Sequence, residues 1–291
     1  MQSQQGSIGH SPASLSATDL LEAQLTGKTL YGDNLSPSQI QAWYDQEETG
    51  YFDLLNNFYG ITDTNNQYSY EYEALNHFHA ISALLGSRFN CCVALGCAAG
   101  DDVTPLASVV DRFIAIEPAE KWWRAEIGGK PATYLKPAVT GSIELSSNSA
   151  DLATSFGVLH HIPNVSHVTG EIARVLRPGG LFLVREPISW MGDWRKRRPG
   201  LTVNERGLPL QWFERTAQES GFNIVRRHLC MFRPVSSAAK KFGVSMPYAS
   251  KPVTLIDWVC SEMLRWNTYY RRDSFVKKFA PGSAFWILKR N

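Results

Sequence analysis

The spacing of apolar residues changes near residue 90, and the change divides the chain into two kinds of pattern. Between 16 and 60 the pattern predicts two short helices. The second opens at Ser36-Pro37, a serine N-cap followed by proline at the first helical position. Ile40, Trp43 and Tyr44 recur there at helical spacing, so 16–67 is expected to form a helical cap on the main domain. Residues 60–67 are turn-rich. A third helix is predicted over 68–85, with Tyr72, Leu75, Phe78, His79 and Ile81 on or near one face. Residues 1–15 are rich in Ser, Gln and Gly and are expected to form a flexible tail.

From residue 91 onward, short apolar runs alternate with helical spacing. Strands are predicted at 91–95, 113–116, 152–156 and 181–184, and a helix at 102–110. Val168, Ile172, Val175 and Leu176 mark an amphipathic helix that Arg177-Pro178-Gly179-Gly180 stops. Such alternation implies an α/β fold with a parallel sheet covered on both faces. A helix over 210–220 should end at Gly221 with a left-handed residue, and 222–229 and 284–289 read as closing strands. Residues 232–282 form an insertion between those strands, a candidate substrate lid or interface, with a helix expected over 255–269.

Composition narrows the class. The 291 residues are 44% hydrophobic with net charge +2, which excludes general disorder, and no apolar stretch is long enough to span a bilayer. The N-terminus lacks the basic and apolar regions of a secretory signal. Five cysteines without CxxC spacing point to a reduced, cytoplasmic protein with no metal. Charge is unevenly placed: residues 1–184 hold 9 Lys+Arg against 19 Asp+Glu, and 185–291 hold 20 against 8. Either the halves neutralise each other or the basic half faces an anionic partner. No nucleic-acid recognition motif accompanies it, and nucleic acid is not expected as a partner.

The site chemistry begins at Val93-Ala94-Leu95-Gly96-Cys97-Ala98-Ala99-Gly100-Asp101-Asp102, a strand running through small residues into a helix. That turn sits at the carboxyl edge of a doubly wound sheet, where small side chains let a ligand approach the backbone. The dinucleotide pattern GxGxxG fails at Ala98 and Asp101, which disfavours a nicotinamide oxidoreductase. The next strand ends in Glu117, an acid placed to accept from two ribose hydroxyls.

Together with Ser155-Phe156-Gly157-Val158-Leu159-His160-His161 and Leu176-Arg177-Pro178-Gly179-Gly180, these segments resemble the class I S-adenosylmethionine-dependent methyltransferases. The likeness is to the group with the Leu-His-His signature and spans about 68–229. The resemblance implies a Rossmann-like doubly wound sheet of seven strands, the last antiparallel, and S-adenosyl-L-methionine as cofactor. It implies that Gly96, Cys97, Ala98, Ala99 and Gly100 pass under the methionine part. Glu117 would hold the ribose, Pro118 would lie beside the adenine, Ser142 and Ile143 at its edge, and Phe156 and Gly157 near the amino group. The chain departs from the family at Ala94, where an acid is usual, at Ala98 for a glycine, and at Ser142 for an aspartate. Ala98 is tolerable where its backbone keeps an allowed conformation, and Asp101 or Asp102 is a candidate substitute for the missing acid.

His160 and His161 follow the strand bordering the cofactor, and a histidine has the pKa for taking a proton from a hydroxyl acceptor. His161 is the slightly preferred base, against the alternative that one ring packs inward and the other bonds the loop. Glu186, Trp194 and Arg195 are candidate acceptor contacts, although Glu186 has an alternative in a salt bridge to Arg185 or the loop, and the segment between 190 and 212 an alternative as a solvated basic loop. The expected activity is O-methylation of a small-molecule or glycan-like acceptor, first guessed to be phosphorylated. The competing reading is a binding or structural partner that kept the fold and lost turnover. A peripheral membrane contact and a homodimer are both compatible with the aromatic and basic insertion.

Overall fold

The structure is a computed structural model that describes residues 16–54 and 70–291, with side chains omitted for 48–54. The expected tail, the turn at 60–67 and the expected helix start at Tyr68 lie outside the described residues.

A mixed sheet organises the chain. Its strands are β1 (Cys92–Leu95), β2 (Phe113–Ile116), β3 (Glu126–Ile127), β4 (Lys130–Leu135), β5 (Ala150–Phe156), β6 (Leu176–Pro187), β7 (Phe222–Cys230) and β8 (Ser283–Arg290). The order across the sheet is β3-β4-β2-β1-β5-β6-β8-β7. β1 is parallel to β2 and β5, and β5 to β6, while β8 runs antiparallel to both β6 and β7. Strand order reverses at β1, so the carboxyl ends of β1 and β5 border the crevice where open α/β sheets bind ligands. The family-like set of strands with an antiparallel last member is therefore present, and the two-residue β3, paired antiparallel to β4, adds an eighth.

Alternating residues of the central strands feed two cores. Cys91, Val93 and Leu95 join the layer with Val168, Ile172, Phe213 and Ala217, whereas Cys92 and Ala94 join that with Ile81, Val103 and Leu106. The first layer contains helices α4 (Val165–Val175) and α5 (Leu210–Glu219). Gly221 follows α5 with φ +93°, as its position after the helix requires.

Two helices precede the sheet, α1 (Ala17–Thr26) and α2 (Pro37–Leu54), followed by α3 (Glu73–His79). At the start of α2 the Gln39 amide donates to Ser36 Oγ at 3.4 Å and the Ser36 amide donates to Gln39 Oε1 at 2.9 Å, a reciprocal capping box. The α1–α2 connection lies against the turn after β5: the Asn164 amide donates to the Gly32 carbonyl and the Ser166 amide to Asp33.

Three expected helices are altered. The predicted helix at 102–110 is a 3-10 turn, Thr104–Ser108, with Pro105 in its first turn. The segment expected over 68–85 is divided into α3 and a 3-10 turn, Ile81–Leu84. Between β7 and β8 lie α6 (Arg233–Lys241), α7 (Lys251–Met263) and α8 (Phe275–Lys278), so the helix expected at 255–269 begins and ends earlier. Pro252 in its first turn favours that start. Among the described residues no helix is long and apolar enough to cross a membrane.

Candidate active site

The turn after β1 is shaped by two glycines. Gly96 has φ +61°, and a Cβ there would lie 2.5 Å from Val158 Cγ1; Gly100 has φ +90°, and a Cβ would lie 2.6 Å from Ile127 Cγ1. Ala98 between them also has positive φ, +47°. The condition under which alanine substitutes for glycine without cost is therefore not met: an L-residue in this region costs about 1–2 kcal/mol. The strained turn is tied to β2, for Glu117 Oε2 accepts the Ala98 amide at 3.0 Å and Oε1 accepts the Ala119 amide at 3.0 Å. Tyr134 donates its hydroxyl to the Ala98 carbonyl at 2.9 Å. Burial raises the Glu117 pKa above the usual carboxylate value, against the lowering effect of those two amides.

The remaining residues expected at the cofactor lie along the same edge or beyond it. Cys97 is buried, and burial pushes its thiol well up. Pro118 is exposed, and Ala99 is partly exposed. Ser142 Oγ is 3.0 Å from Thr140 Oγ1, while the amide of the buried Ile143 donates to Glu171 at 2.9 Å. Phe156 ends β5 and packs on Phe285. Gly157 has φ +78° and lies between two buried side chains: a Cβ there would be 3.7 Å from Arg185 Nη2 and 3.8 Å from His160 Cε1.

Two buried atoms of opposite charge stand unpaired near this edge. Among the described residues, Asp102 Oδ1 and Arg185 Nε have no hydrogen-bond partner. The Arg185 guanidinium lies 4.1 Å from the centre of the Tyr72 ring, and Nη2 donates to the Phe156 carbonyl at 3.3 Å. Burial raises the Asp102 carboxyl to about 7, although the charge of Arg185 opposes the rise. Asp102 and Arg185 are not within salt-bridge distance of each other, so each keeps an unspent polar atom.

His160 and His161 stand beside this region, on a 3-10 turn, Leu159–His161. His160 Nδ1 is 2.7 Å from Glu186 Oε2, and His161 Nδ1 is 3.0 Å from Glu47 Oε2 on α2. A carboxylate only accepts, so each imidazole donates from Nδ1, and the neutral form of each carries its lone pair on Nε2. Burial and the neighbouring His161 lower the His160 pKa; for His161, burial is outweighed by Glu47, Glu205 and Glu186, and its pKa rises. The other Glu186 oxygen accepts the Val158 and Leu159 amides at 2.9 and 2.8 Å. Glu186 is 1% exposed, so its carboxylate is engaged by the turn it organises.

The remaining expected acceptor contacts are occupied differently. Trp194 is buried and stacks on Tyr31 with ring centres 4.5 Å apart. Arg195 is exposed and pairs with Asp193 through Nε and Nη2, both at 2.8 Å. Sequence reasoning did not name Glu47, whose contact with His161 crosses 114 positions. Nor did it assign Arg206, which is fully buried and donates to the carbonyls of Tyr31, His160 and Ile162. Trp43 Nε1 completes this clamp on the His161 carbonyl at 2.7 Å.

Residues 93–184 match the family described as a methyltransferase domain. Over that segment the chain is similar to the class I S-adenosylmethionine-dependent methyltransferases. An "Uncharacterized methyltransferase" of Mycobacteroides abscessus is 30% identical over 110 residues, 36% of this chain and 42% of that protein. A "Probable S-adenosylmethionine-dependent methyltransferase" of Mycolicibacterium smegmatis is 29% identical over 92 residues, 32% of this chain and 36% of that protein. The chain thus spans less than half the length of these curated relatives. The crystal structure of the [4+2]-cyclase SpnF superposes with a TM-score of 0.53 at 16% identity, over 84% of this chain and 96% of that one. At that identity the shared property is the fold of the methyltransferase domain.

Proposed function

We propose that the protein methylates a hydroxyl of a small-molecule or glycan-like acceptor, using S-adenosylmethionine. The observation that carries the reading is the pair of buried, unpaired atoms of opposite charge, Asp102 Oδ1 and Arg185 Nε, beside a crevice that also presents Glu117. These residues fit the cofactor. Each Glu117 oxygen receives one main-chain N–H and retains a lone pair for a ribose hydroxyl. Asp102 and Arg185 complement an α-ammonium and an α-carboxylate, so Asp102 takes the place of the acid missing at Ala94. Bound there, S-adenosylmethionine supplies an activated methyl group with a thioether as leaving group.

The chain's own contribution is orientation and control of a proton. Glu186 holds the His160 ring by Nδ1, which leaves Nε2 free to accept the hydroxyl proton of the acceptor. His161, held by Glu47, supports the same cluster. A second reading, cofactor binding without turnover, is favoured by the strained Ala98 in the cofactor turn. Calorimetric titration with S-adenosylhomocysteine and, separately, NADH tests the cofactor assignment. Micromolar binding of the former alone supports it, and binding of neither sinks it. Methyl transfer to a panel of hydroxyl acceptors then separates the enzyme from the binding protein.

A further inference from the structure

His160, His161 and Glu205 each bring one donor atom to within 4.8 Å of the other two. His160 Nε2 is 3.7 Å from Glu205 Oε1, beyond hydrogen-bond reach. The other Glu205 oxygen accepts the Thr202 amide at 3.1 Å. Behind the donors stands a complete supporting layer, in which Glu186 and Glu47 each hold one imidazole by Nδ1. Glu47 is fixed in turn by the Thr202 hydroxyl at 2.7 Å and the Asn204 amide at 2.9 Å. A carboxylate on the far ring nitrogen orients a histidine and raises its basicity as a metal ligand.

Charge points the same way. Among the described residues, the ion-pair partners of Glu47, Glu186 and Glu205 are these two histidines. The neighbouring guanidiniums are turned onto main-chain oxygens instead. Arg198 donates to the carbonyls of Thr202, Val203 and Glu205, and Arg206 donates to those of Tyr31, His160 and Ile162. Among the described residues, no lysine or arginine is therefore hydrogen-bonded to the carboxylates around the paired imidazoles.

We propose that His160, His161 and Glu205 form a binding site for one divalent transition-metal ion. Two nitrogens and one oxygen suit zinc, manganese, iron(II) or cobalt(II), whereas magnesium and calcium favour oxygen alone. Metal–ligand bonds of about 2.0–2.2 Å put neighbouring donors roughly 3–3.5 Å apart, so the side chains close inward on the ion. His161 is partly exposed, which leaves one side of the site open to water or an acceptor oxygen. With an ion bound, His160 Nε2 is a ligand and no longer the base: the ion instead lowers the pKa of a bound hydroxyl, whose proton leaves to solvent. That role in acceptor activation rests on the proposed methyl transfer; the metal site itself does not. The sequence expectation of no metal came from cysteine spacing, which is blind to a site made from adjacent histidines and a distant glutamate.

The test is titration of chelator-treated full-length protein with Co²⁺, followed by calorimetry and visible absorption, with Zn²⁺ as competitor. S-adenosylhomocysteine is titrated in parallel. One Co²⁺ per chain at micromolar affinity, displaced by Zn²⁺, is expected, with affinity reduced at least tenfold in Glu205→Gln and about 10–100-fold in Glu47→Gln. Thermal melts confirm that both variants fold. Absence of Co²⁺ and Zn²⁺ binding up to millimolar concentration overturns the site, as does a folded Glu205→Gln protein that binds as tightly as the parent. Metal binding without S-adenosylhomocysteine binding supports the site and overturns the methyl-transfer reading instead; the reverse result rejects the site alone.

Discussion

Glu117 Oε2 accepts the Ala98 amide at 3.0 Å, joining the end of β2 to the strained turn after β1. One side chain therefore positions the turn and offers lone pairs to a ribose. Glu117→Ala is expected to weaken S-adenosylhomocysteine binding at least tenfold, because it removes both functions and leaves the Ala98 amide without its acceptor. Calorimetry gives the comparison. Equal affinity in the variant and the parent would contradict the ribose assignment.

The Ala98 backbone gives a prediction of unusual sign. Alanine to glycine ordinarily destabilises an ordered segment by about 0.5–1 kcal/mol through added chain entropy. Here φ is +47°, and glycine releases about 1–2 kcal/mol of local strain. Ala98→Gly should therefore be neutral or stabilising by about 1 kcal/mol, as measured by urea denaturation. A loss of 1 kcal/mol or more would mean that the turn carries no such strain.

Asp102 couples this edge to pH. Its carboxyl titrates near 7 in the folded protein, against 3.8 in an ordinary environment. The folded state thus holds a proton that the unfolded state gives up between those values. Its penalty on stability is present above pH 7 and fades as pH falls towards 4. Asp102→Asn should be more stable than the parent at pH 8, with the advantage shrinking by pH 5. The groups facing it are Arg185, Asp101, Cys92, Cys97 and Tyr134. Ligand binding has the opposite trend, because an ammonium group prefers the ionised carboxylate. Preference for S-adenosylhomocysteine over 5′-methylthioadenosine, which lacks the amino-acid tail, should rise from pH 6 to pH 8. A flat ratio in the parent, or an equal rise in Asp102→Asn, would remove Asp102 from the ammonium site.

Arg206 supports the other half of the crevice. It is fully buried, and its donors satisfy carbonyls from the α1–α2 connection and from the histidine turn. Replacement by methionine keeps much of the volume but strands those carbonyls, each at a cost of about 1–3 kcal/mol. A loss of at least 3 kcal/mol in chemical denaturation is expected. A loss below 1 kcal/mol would show that water replaces the clamp.

The strands that build the crevice were legible because each carries a compact apolar run, as in Val93-Ala94-Leu95 and Phe113–Ile116. β4 was not, since Lys130–Leu135 contains Pro131 and buries only Tyr134. The Gly96 turn and Glu117 stood out locally, but no local signal joined Glu47 or Glu205 to the histidines. Glu47 approaches from α2 and Glu205 from the loop before α5, so only packing brings them together. The sequence offers Glu186 either an acceptor or cofactor contact or a salt bridge to Arg185 or the loop. Successive strand residues point to opposite faces, and the fold gives Glu186 to His160 and Arg185 to Tyr72.

That opposition makes Glu186→Gln an informative variant. The amide oxygen can still accept from the Val158 and Leu159 amides, whose present acceptor is Glu186 Oε1. Its NH₂ group then faces His160 Nδ1 and donates where Glu186 Oε2 accepted. The imidazole must move its proton to Nε2, which can then neither take a proton nor bind a metal ion. Nitrogen-15 NMR of labelled His160 should report the exchanged tautomer. Co²⁺ affinity should fall at least tenfold, while S-adenosylhomocysteine binding changes less than threefold. An unchanged tautomer would break the link between Glu186 and His160 at its first step. A changed tautomer with unchanged Co²⁺ affinity would exclude His160 Nε2 as a ligand.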